Sequence, residues 1–430
     1  MNYLQARSYL IQAEQYAGEM GIAKVKNLLE KAGHPEDDLK FIHIAGTNGK
    51  GSVMAYVSTI LACAGYRVGR YVSPTIYSYR ERIQINGNNI TKEDFTKYMN
   101  RLVAAVRQME QEGMAHPSPF EMETVLALMY FQEQGCDIVV LECGMGGTMD
   151  ATNVIANTVL AVLTSISMDH MDYLGDTLEK ITTNKAGIIK PGAAVVIGKQ
   201  EQQVEDVIWA LCTEKGNPLV VAKPQEAVIR ESTIEKQTFR YHGEEVTITM
   251  AGSHQIENAV LALECIQTLN QIGYTVTKEE IRQGFLKTRW NGRFTVIKKE
   301  PYVVVDGAHN PDAALKLKQS IEMYFPEQEK IFIMGVFRDK QYDRIAEILT
   351  PLAKQVYTIA SSDHERVLKA SELAAAVEKY NAHVQACKSI GEAVNLSLAG
   401  AGKDGVVIAF GSLSFIGEIT RIVTGEEEND

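Results

Sequence analysis

The hydrophobic positions of this chain follow two alternating patterns from residue 41 onward. Short apolar runs that end at polar or glycine positions are typical of buried parallel strands, and stretches with apolar residues three or four apart indicate helices. The predicted strands of this first series are FIHIA, YRVGRYVSP, CDIVVLECGMGG, TVLAVLTSIS and GAAVVIG. Helical segments such as SVMAYVSTILACAG and EMETVLALMYFQEQG separate them. The alternation predicts an α/β fold with a doubly wound sheet.

The pattern changes between about residues 220 and 250. TFRYHGEEVTITM alternates polar and apolar residues around HGEE, which predicts a hairpin, and the helix SHQIENAVLALECIQTLN follows. The segment KTRWNGRFTVI then interrupts the rhythm, and we interpret it as a hinge. Beyond it, the strands YVVVD, KIFIMGV, QVYTIAS, HVQA and GVVIAFG each precede a helix. We therefore predict two domains, residues 1–295 and 296–430.

The segment FIHIAGTNGKGSV has the parts of a phosphate-binding loop at a shifted spacing. A strand, a glycine-rich turn and a helix start present backbone N–H groups to an anion. Gly46, Gly49 and Gly51 allow close backbone approach, Lys50 supplies a cation for the β- and γ-phosphates, and Ser52 places a hydroxyl near a metal. A tight turn with a solvated lysine is the alternative. We favour the nucleotide site because all five residues occur in the correct structural context.

Polar residues also follow the predicted strands farther along. Glu142 ends a buried strand before a glycine-rich turn, where ligands of open α/β sheets bind, and a carboxylate there suits Mg²⁺. His170 also follows a strand end and becomes a candidate metal or phosphate contact beside Glu142. Asp150 and Asn153 either cap a turn or bind a ligand, and the pattern does not choose. Lys185, by its position alone, is a helix-terminal lysine.

The second series repeats this arrangement at three strand ends. Three polar loops at one edge of one sheet predict a functional face. Their polar residues are Asp306, His309 and Asn310; Arg338, Asp339 and Lys340; and Ser412 and Ser414.

Composition narrows the class of protein. The 430 residues are 45% hydrophobic and 23% charged, as in globular proteins. The sequence contains no uncharged apolar run of about 18 residues, so we expect no membrane span. The formal net charge of −11 argues against nucleic acid or an anionic membrane as the main partner. The six cysteines show no close metal-type pairing, and they suggest a reducing, cytoplasmic compartment.

Taken together, these motifs resemble the folylpolyglutamate synthase and dihydrofolate synthase family of the Mur ligase superfamily. The segments that carry the resemblance, in family order, are HIAGTNGKGSV, YVSP, ERIQINGNNI, LECGMGGTMDATNV, LGDTLEKI, KAGIIKPG, SHQIENA, RWNGRF, DGAHNP and FGSLSFIG. The resemblance as a whole spans about residues 1 to 424. The resemblance implies an N-terminal P-loop ATPase domain of Mur ligase type and a smaller C-terminal Rossmann-like domain.

The resemblance also implies an activity and a set of site residues. The activity is ATP-dependent addition of L-glutamate to a folate, through an acyl phosphate, by an enzyme that is usually a monomer. Matching positions imply ATP contacts at Gly46, Thr47, Asn48, Gly49, Lys50, Gly51, Ser52, Asn258, Arg293 and Asp306. They imply Mg²⁺ ligands at Ser73, Glu142, His170 and Lys185, the last carbamylated. They imply catalytic roles for Lys50, His170, Lys185, Asp306 and His309, and substrate contacts at Asp150, His309 and Ser412.

Several positions depart from the family pattern, and they leave the acceptor open. Thr75-Ile76 stand where His-Leu is usual, Thr148-Met149 replace Arg-Leu, and Asn184 replaces Glu. The motifs do not separate tetrahydrofolate polyglutamylation from dihydropteroate glutamylation. Two further alternatives are a ligase for a non-folate carboxylate and an ATP-binding paralogue with a regulatory role.

Overall fold

The computed structural model describes residues 1–18, 21–360 and 366–425, and within these ranges the chain divides into two units. The first unit comprises Met1–Ser73, Arg80–Ala227 and Glu257–Thr288. The second comprises Pro74–Tyr79, Val228–Ile256 and the chain from Arg289 onward. The predicted boundary near residue 296 stays a prediction.

The first unit holds one eight-stranded sheet. Its strands are β1 Phe41–Ala45, β2 Val68–Tyr71, β3 Ile83–Ile85, β4 Asn88–Asn89, β5 Ile138–Glu142, β6 Thr158–Leu163, β7 Ala194–Ile197 and β8 Leu219–Val221. The order across the sheet is β4-β3-β2-β5-β1-β6-β7-β8. The six strands β2, β5, β1, β6, β7 and β8, named in their order across the sheet, pair in parallel. β3 and β4 form an antiparallel edge beside β2.

Helices are interspersed with these strands along the chain. They are α1 Tyr3–Gln12, α2 Ala23–Ala32, α3 Lys50–Cys63, α4 Lys92–Gln111, α5 Pro119–Glu133, α6 Met171–Leu174, α7 Leu178–Lys185, α8 Gln202–Lys215, α9 Ser253–Gln271 and α10 Lys278–Lys287. α3 and α5 are apolar around most of their circumference and are buried, as the central layers of a doubly wound fold require. α9 is shared: its first turn belongs to the second unit and the rest to the first.

The second unit holds two sheets. Its strands are β9 Val228–Ser232, β10 Gln237–Tyr241, β11 Glu244–Ile248, β12 Thr295–Lys299, β13 Tyr302–Asp306, β14 Lys330–Met334, β15 Gln355–Thr358, β16 Val384–Ala386 and β17 Val406–Phe410. Its helices are α11 Pro311–Tyr324, α12 Tyr342–Leu349, α13 Ala370–Val377, α14 Ile390–Ala401 and α15 Ile416–Thr424. The larger sheet runs β12-β13-β17-β14-β15-β16, with β12 antiparallel to its neighbour and the others parallel.

The smaller sheet contains the predicted hairpin. β10 pairs with β11 in antiparallel register, and the two-residue turn between them is His242-Gly243. Both turn residues have positive φ, 46° and 86°, as the common two-residue hairpin turn requires. β9 adds a third strand that the pattern did not predict.

The predicted α/β class is confirmed. The large first sheet and the separate second sheet match the two predicted series of strands. The last residue of the predicted QVYTIAS strand lies outside the described residues. No helix within the described ranges is both long and apolar enough to cross a bilayer.

We predict that Gly284→Ala destabilises the first unit. A Cβ at Gly284 in α10 would lie 2.6 Å from the Ile60 Cα and 2.5 Å from its Cγ1 in α3, so the two helices would have to separate. The expected loss is about 1–3 kcal/mol in the free energy of unfolding, the usual cost of overpacking. Thermal and denaturant unfolding measure it.

Gly391→Ala is the matched control, because Gly391 is also helical and its nearest neighbour is 3.9 Å from the added Cβ. It should be neutral or stabilising by up to about 1 kcal/mol. Equal effects of the two substitutions would contradict the close packing of α3 and α10.

Candidate active site

Four neighbouring parallel strands of the first unit end at one edge, and each leads to predicted site residues. β2 is followed by Ser73, β5 ends at Glu142, β1 runs into the glycine loop, and β6 runs toward His170. The register places Ile44 beside Glu142 and Tyr71 beside Leu141. Since the carboxyl ends of parallel strands in such sheets form the ligand crevice, the fold brings this part of the predicted set to one place.

The glycine loop is shaped by contacts that exclude side chains. Gly46 has φ +150°, and a Cβ there would lie 1.9 Å from the Thr164 Oγ1. Gly49 has φ +90°, and a Cβ there would lie 2.6 Å from the Asn258 Oδ1. Asn258, which is distant in sequence, therefore lies against the loop. Glycine is required at both positions for conformation and for space.

Lys50 begins α3 and turns back over the loop. Its Nζ donates to the carbonyl oxygens of Gly46 at 3.2 Å and Thr47 at 3.4 Å. Ser52 is buried in the first turn of the same helix. A helix N-terminus with a lysine folded over a glycine loop can hold a phosphate chain through backbone N–H groups and one cation.

The loop after β6 anchors the glycine loop. Thr47 Oγ1 donates to the Ser167 carbonyl at 3.1 Å and accepts from the Ser167 N–H at 3.0 Å. The Thr47 N–H donates to the Ser165 carbonyl at 2.7 Å. The Gln200 side-chain amide donates to the Thr164 carbonyl at 2.7 Å and so supports the second loop in turn. These bonds join the two loops to each other.

The three predicted metal ligands other than lysine differ in exposure. Glu142 is 5% exposed, Ser73 is half-buried, and the side chain of His170 is 30% exposed. His170 has a positive φ of 52° and is the N-cap residue directly before α6. Its Nε2 lies 3.9 Å from the Asp169 Oδ2. Among the described residues, no three His, Cys, Asp or Glu side chains are grouped as a ready-made metal cage.

Lys185 is far from an ordinary helix-terminal lysine. It is 4% exposed, and its Nζ donates to the Gly46 carbonyl at 2.9 Å, the same oxygen that Lys50 contacts. Burial, together with the charge of Lys50, lowers the pKa of the Lys185 amine to about 7. A large fraction of this amine is therefore neutral and nucleophilic near neutral pH.

The segment before Lys185 is joined to the glycine-rich turn after β5. Asn184 Oδ1 accepts from the Gly147 N–H at 3.1 Å, and the Asn184 carbonyl accepts from the N–H and hydroxyl of Thr148 at 2.9 and 3.0 Å. Two positions that depart from the family pattern, Thr148 and Asn184, are thus direct partners. Their contact couples the end of α7 to the loop that carries Asp150.

Asp150 is buried at the end of that loop. Its Oδ2 accepts from the Met145 N–H at 2.8 Å, and its Oδ1 accepts from the N–H and hydroxyl of Thr152 at 3.0 and 2.5 Å. Burial raises the pKa of Asp150, and the hydrogen bonds from Thr152, Met145 and Gly144 oppose the rise. The carboxylate therefore caps the short turn Ala151–Val154.

The second unit carries the remaining predicted residues. Asp306 ends β13, and its carboxylate accepts from the N–H groups of Phe294 at 2.7 Å and Ala308 at 2.8 Å. Burial raises the pKa of Asp306, and the charge of Arg293 opposes the rise. Ser412 follows β17, the strand next to β13, and its Oγ accepts from the Ser414 N–H at 3.2 Å.

Arg293 and His309 lie beside this strand end. A Cβ at Gly307 would be 2.5 Å from an Arg293 guanidinium nitrogen, and the His309 Nδ1 is 2.8 Å from the Gly307 carbonyl. Asp306, Arg293 and His309 therefore surround one turn. In contrast, Arg338 and Asp339 form exposed ion pairs, with Glu372 and Arg366 respectively.

The sequence analysis did not single out several residues that support the candidate site of the first unit. Gln200 and Ser167 support the loops, and nothing in their sequence context distinguishes them. His43 and Thr152 contact the residues around Asp150. A histidine inside the apolar run FIHIA was the one available signal, because a polar residue in a buried strand needs a partner.

Comparisons with known proteins agree with this arrangement. The Mur ligase middle domain matches residues 44–266, and the Mur ligase glutamate ligase domain matches residues 292–413. The dihydrofolate synthase/folylpolyglutamate synthase of Bacillus subtilis is 32% identical, over 97% of this chain and 98% of its own length. This chain belongs to the dihydrofolate synthase/folylpolyglutamate synthase family of Mur ligases. The resemblance read from the motifs is confirmed.

Solved structures of family members have the same fold. The folylpolyglutamate synthase of Mycobacterium tuberculosis, complexed with ADP and AMPPCP, has a TM-score of 0.88 at 29% identity and covers 99% of both chains. The Escherichia coli FolC protein, in complex with DHPP and ADP, has a TM-score of 0.86 at 26% identity and covers 98% of both chains.

We predict that Gly147→Ala impairs ligase activity. A Cβ there would lie 2.6 Å from the Lys185 carbonyl oxygen and 2.7 Å from that of Asn184, both backbone atoms, so the end of α7 would have to move. Displacing Lys185 by a fraction of an ångström or more should lower turnover about tenfold or more. Steady-state ADP release, with thermal unfolding measured in parallel, checks this.

Gly198→Ala is the control within the same unit, since its Cβ would meet its nearest neighbour at an ordinary 3.5 Å. Its turnover should match that of the parent. Full activity in Gly147→Ala would contradict the coupling between the loop and α7.

Proposed function

We propose that this chain joins the amino group of L-glutamate to a carboxylate of a reduced folate at the expense of ATP, through an acyl phosphate. The observation that carries the proposal is the glycine loop with Lys50 above it and Glu142 and Lys185 beside it, at one edge of a parallel sheet. The Mycobacterium tuberculosis relative binds ADP and AMPPCP, and the Escherichia coli relative binds DHPP and ADP. These relatives support both a nucleotide and a folate-type acceptor.

The glycine loop is assigned to the ATP phosphates. The backbone N–H groups at the start of α3 bind the β- and γ-phosphates, and Lys50 balances their charge. The Thr47 N–H is held by the Ser165 carbonyl and shapes the loop instead. Asn258 lies against Gly49 and is assigned to the nucleotide. Arg293 and Asp306 are assigned to the nucleotide by their match to the family motifs alone. Lys50 stabilises the negative charge that shifts as the γ-phosphoryl group leaves ADP.

The residues at the neighbouring strand ends fit Mg²⁺. This ion prefers a few hard oxygen ligands and shares the rest of its shell with phosphates and water, so an open set is sufficient. Glu142 supplies a carboxylate, Ser73 a hydroxyl and His170 an imidazole, and a carbamate on Lys185 would add an oxygen. When bound, Mg²⁺ supplies charge neutralisation at the transferring phosphoryl group.

The reaction follows from the weakness of a carboxylate as an acyl donor. The folate carboxylate oxygen attacks the γ-phosphorus, ADP leaves, and an acyl phosphate forms. The glutamate amine then attacks the acyl carbon, inorganic phosphate leaves, and an amide remains. Asp150 is assigned to the acceptor, and His309 and Ser412 are assigned to the glutamate or nucleotide. A site that excludes water protects the acyl phosphate from hydrolysis.

Several finer statements stay predictions. These are glutamylation of dihydropteroate as a second activity, a monomeric state and a cytoplasmic location. All six cysteines lie in the described ranges and are unbridged.

The proposal predicts ADP release that depends on both L-glutamate and a folate acceptor. The assay offers Mg-ATP and glutamate with either tetrahydrofolate or dihydropteroate, and mass spectrometry follows the mass of one added glutamyl residue. Addition to tetrahydrofolate is the expected result, and addition to dihydropteroate would make the enzyme bifunctional. Turnover with neither acceptor, in a protein that still binds ATP, would contradict a folate acceptor and favour another carboxylate.

The proposal also predicts a functional carbamate on Lys185. The neutral amine attacks CO₂, a C–N bond forms and a proton is released to solvent. Because the pKa of Lys185 is about 7, its amine becomes protonated as pH falls through 7, so carbamate content and activity should fall together. Lys185→Ala should lose most activity and regain part of it with added acetate.

Lys180→Ala is the control on the same helix, since its side chain is 63% exposed in a surface ion pair with Asp176. It should keep the activity of the parent. Unchanged turnover in Lys185→Ala would contradict the assignment, and so would parent activity that does not respond to CO₂ removal.

A further inference from the structure

A glutamine is fully buried in the three-stranded sheet of the second unit. Gln237 begins β10 and is 0% exposed. Its side-chain Nε2 donates to two carbonyl oxygens, those of Met250 at 2.8 Å and Gly252 at 2.9 Å. A buried amide is unfavourable unless its polar groups are hydrogen-bonded. The proposed ligase chemistry uses neither this glutamine nor the sheet that holds it.

The oxygen of the same amide leads into a chain of hydroxyl groups. The Gln237 Oε1 accepts from the Ser232 Oγ at 3.2 Å, and this Oγ lies 3.3 Å from the Tyr324 hydroxyl oxygen. The Tyr324 hydroxyl accepts from the Gly252 N–H at 3.1 Å. The chain therefore returns to Gly252, whose carbonyl the glutamine already contacts. These four residues form a closed hydrogen-bond ring.

The chemistry of the groups fixes the direction of each bond in the ring. Carbonyl oxygens only accept, and a backbone N–H only donates. The Ser232 proton is donated to the Gln237 oxygen, because the Met323 sulfur, 3.6 Å from the same Oγ, is a weak acceptor. The Tyr324 hydroxyl accepts from Gly252 and donates to Ser232. Each hydroxyl thus donates once and accepts once, and bonds in such a chain strengthen one another.

The ring holds the residue from which α9 starts. Gly252 directly precedes this helix, and its carbonyl also accepts from the Gln255 N–H of the first turn at 3.0 Å. Gly252 has φ +102°, and a Cβ there would lie 2.6 Å from the His254 Cε1. Asn258, in the second turn of the same helix, lies against Gly49 of the nucleotide loop. One continuous helix therefore leads from the ring to this loop.

We propose that Gln237, Ser232 and Tyr324 are positioning residues, which set Asn258 for the nucleotide by fixing the start of α9. The inference rests on the proposed function, in which Asn258 contacts the nucleotide. Backbone hydrogen bonds join each turn of a helix to the next, so a displacement of the first turn is passed to the second. A shift by a fraction of an ångström at the helix start therefore moves the Asn258 amide and weakens its contact.

The test removes one hydroxyl from the ring. In Tyr324→Phe the aromatic ring keeps its packing on Phe294, with 5.5 Å between the ring centroids, while the Gly252 N–H loses its acceptor. The dissociation constant for ADP, measured by titration calorimetry, should rise about three- to tenfold, the effect of one uncharged hydrogen bond. The KM for the folate acceptor should stay within about twofold of the parent, because the acceptor residue Asp150 makes no contact with the ring.

A matched pair at Ser232 separates the hydroxyl from the packing of the side chain. Ser232→Ala removes the hydroxyl, and Ser232→Thr keeps it on a β-branched side chain that suits a strand. Ser232→Ala should weaken ADP binding as Tyr324→Phe does, and Ser232→Thr should restore most of the affinity. The double variant Ser232→Ala/Tyr324→Phe should lose less affinity than the product of the two single effects, because both substitutions open the same ring.

Tyr302→Phe is the control for the loss of a tyrosine hydroxyl in the same unit. The Tyr302 ring packs against Phe325, with 5.3 Å between the centroids, and its hydroxyl is not part of the hydrogen-bond ring. Its ADP affinity should equal that of the parent. If Tyr324→Phe binds ADP as tightly as Tyr302→Phe does, the positioning role is wrong. A lower melting temperature in Tyr324→Phe with unchanged ADP affinity would contradict it equally, because the ring would then act on stability alone.

Amide hydrogen exchange keeps this inference separate from the proposed function. It is measured without nucleotide on the peptide 252–259, where exchange should be faster in Tyr324→Phe than in the parent. Unchanged exchange would overturn the hold of the ring on α9, whatever the protein binds. If exchange becomes faster but the parent itself binds no ADP, the proposed nucleotide site is wrong, and the role assigned to Asn258 is wrong with it.

Discussion

The parallel register of β2, β5, β1 and β6 is the constraint on which the site of the first unit depends. Backbone pairing places Ile44 beside Glu142 and Ala45 beside Leu163, so the loops that follow these strands start side by side. Strand pairing, and not an attraction between the site residues themselves, therefore brings these residues together. A shift of one residue in any of these strands would turn its side chains to the opposite face and remove its loop from the edge.

The site also requires the loops to approach one another closely, and this close approach lowers the stability of the folded protein. Gly46 and Gly147 leave room for backbone or side-chain atoms that a Cβ would displace, and Lys185 gives up solvation to reach the Gly46 carbonyl. Buried polar groups of this kind are unfavourable unless they are bonded. The apolar layer formed by β6, β7 and α8, in which Leu163, Val195 and Ile208 are fully buried, supplies the burial that offsets this cost.

Much of the fold, and less of the site, was predictable from sequence. Apolar runs predicted β1, β5, β13 and β17 because buried parallel strands contain few polar residues. The inclusion of Pro74–Tyr79 and of β9 in the second unit was not predictable, since it depends on packing against residues far along the chain. The burial of Lys185 is of the same kind: its local sequence describes a helix end, and only the fold places it under the glycine loop. His43 gave a visible signal, but its partner Thr152 is 109 residues away.

Formation of an acyl phosphate is tested most directly by following an oxygen atom from the acceptor carboxylate to the released phosphate. The folate acceptor is prepared with ¹⁸O in the carboxylate that becomes the amide, and the inorganic phosphate released during glutamate-dependent turnover is analysed by mass spectrometry. An acyl phosphate requires that each phosphate carries one oxygen from that carboxylate, so the phosphate should contain one ¹⁸O. Phosphate that carries oxygen only from ATP and water would contradict carboxylate activation and the ligase mechanism built on it.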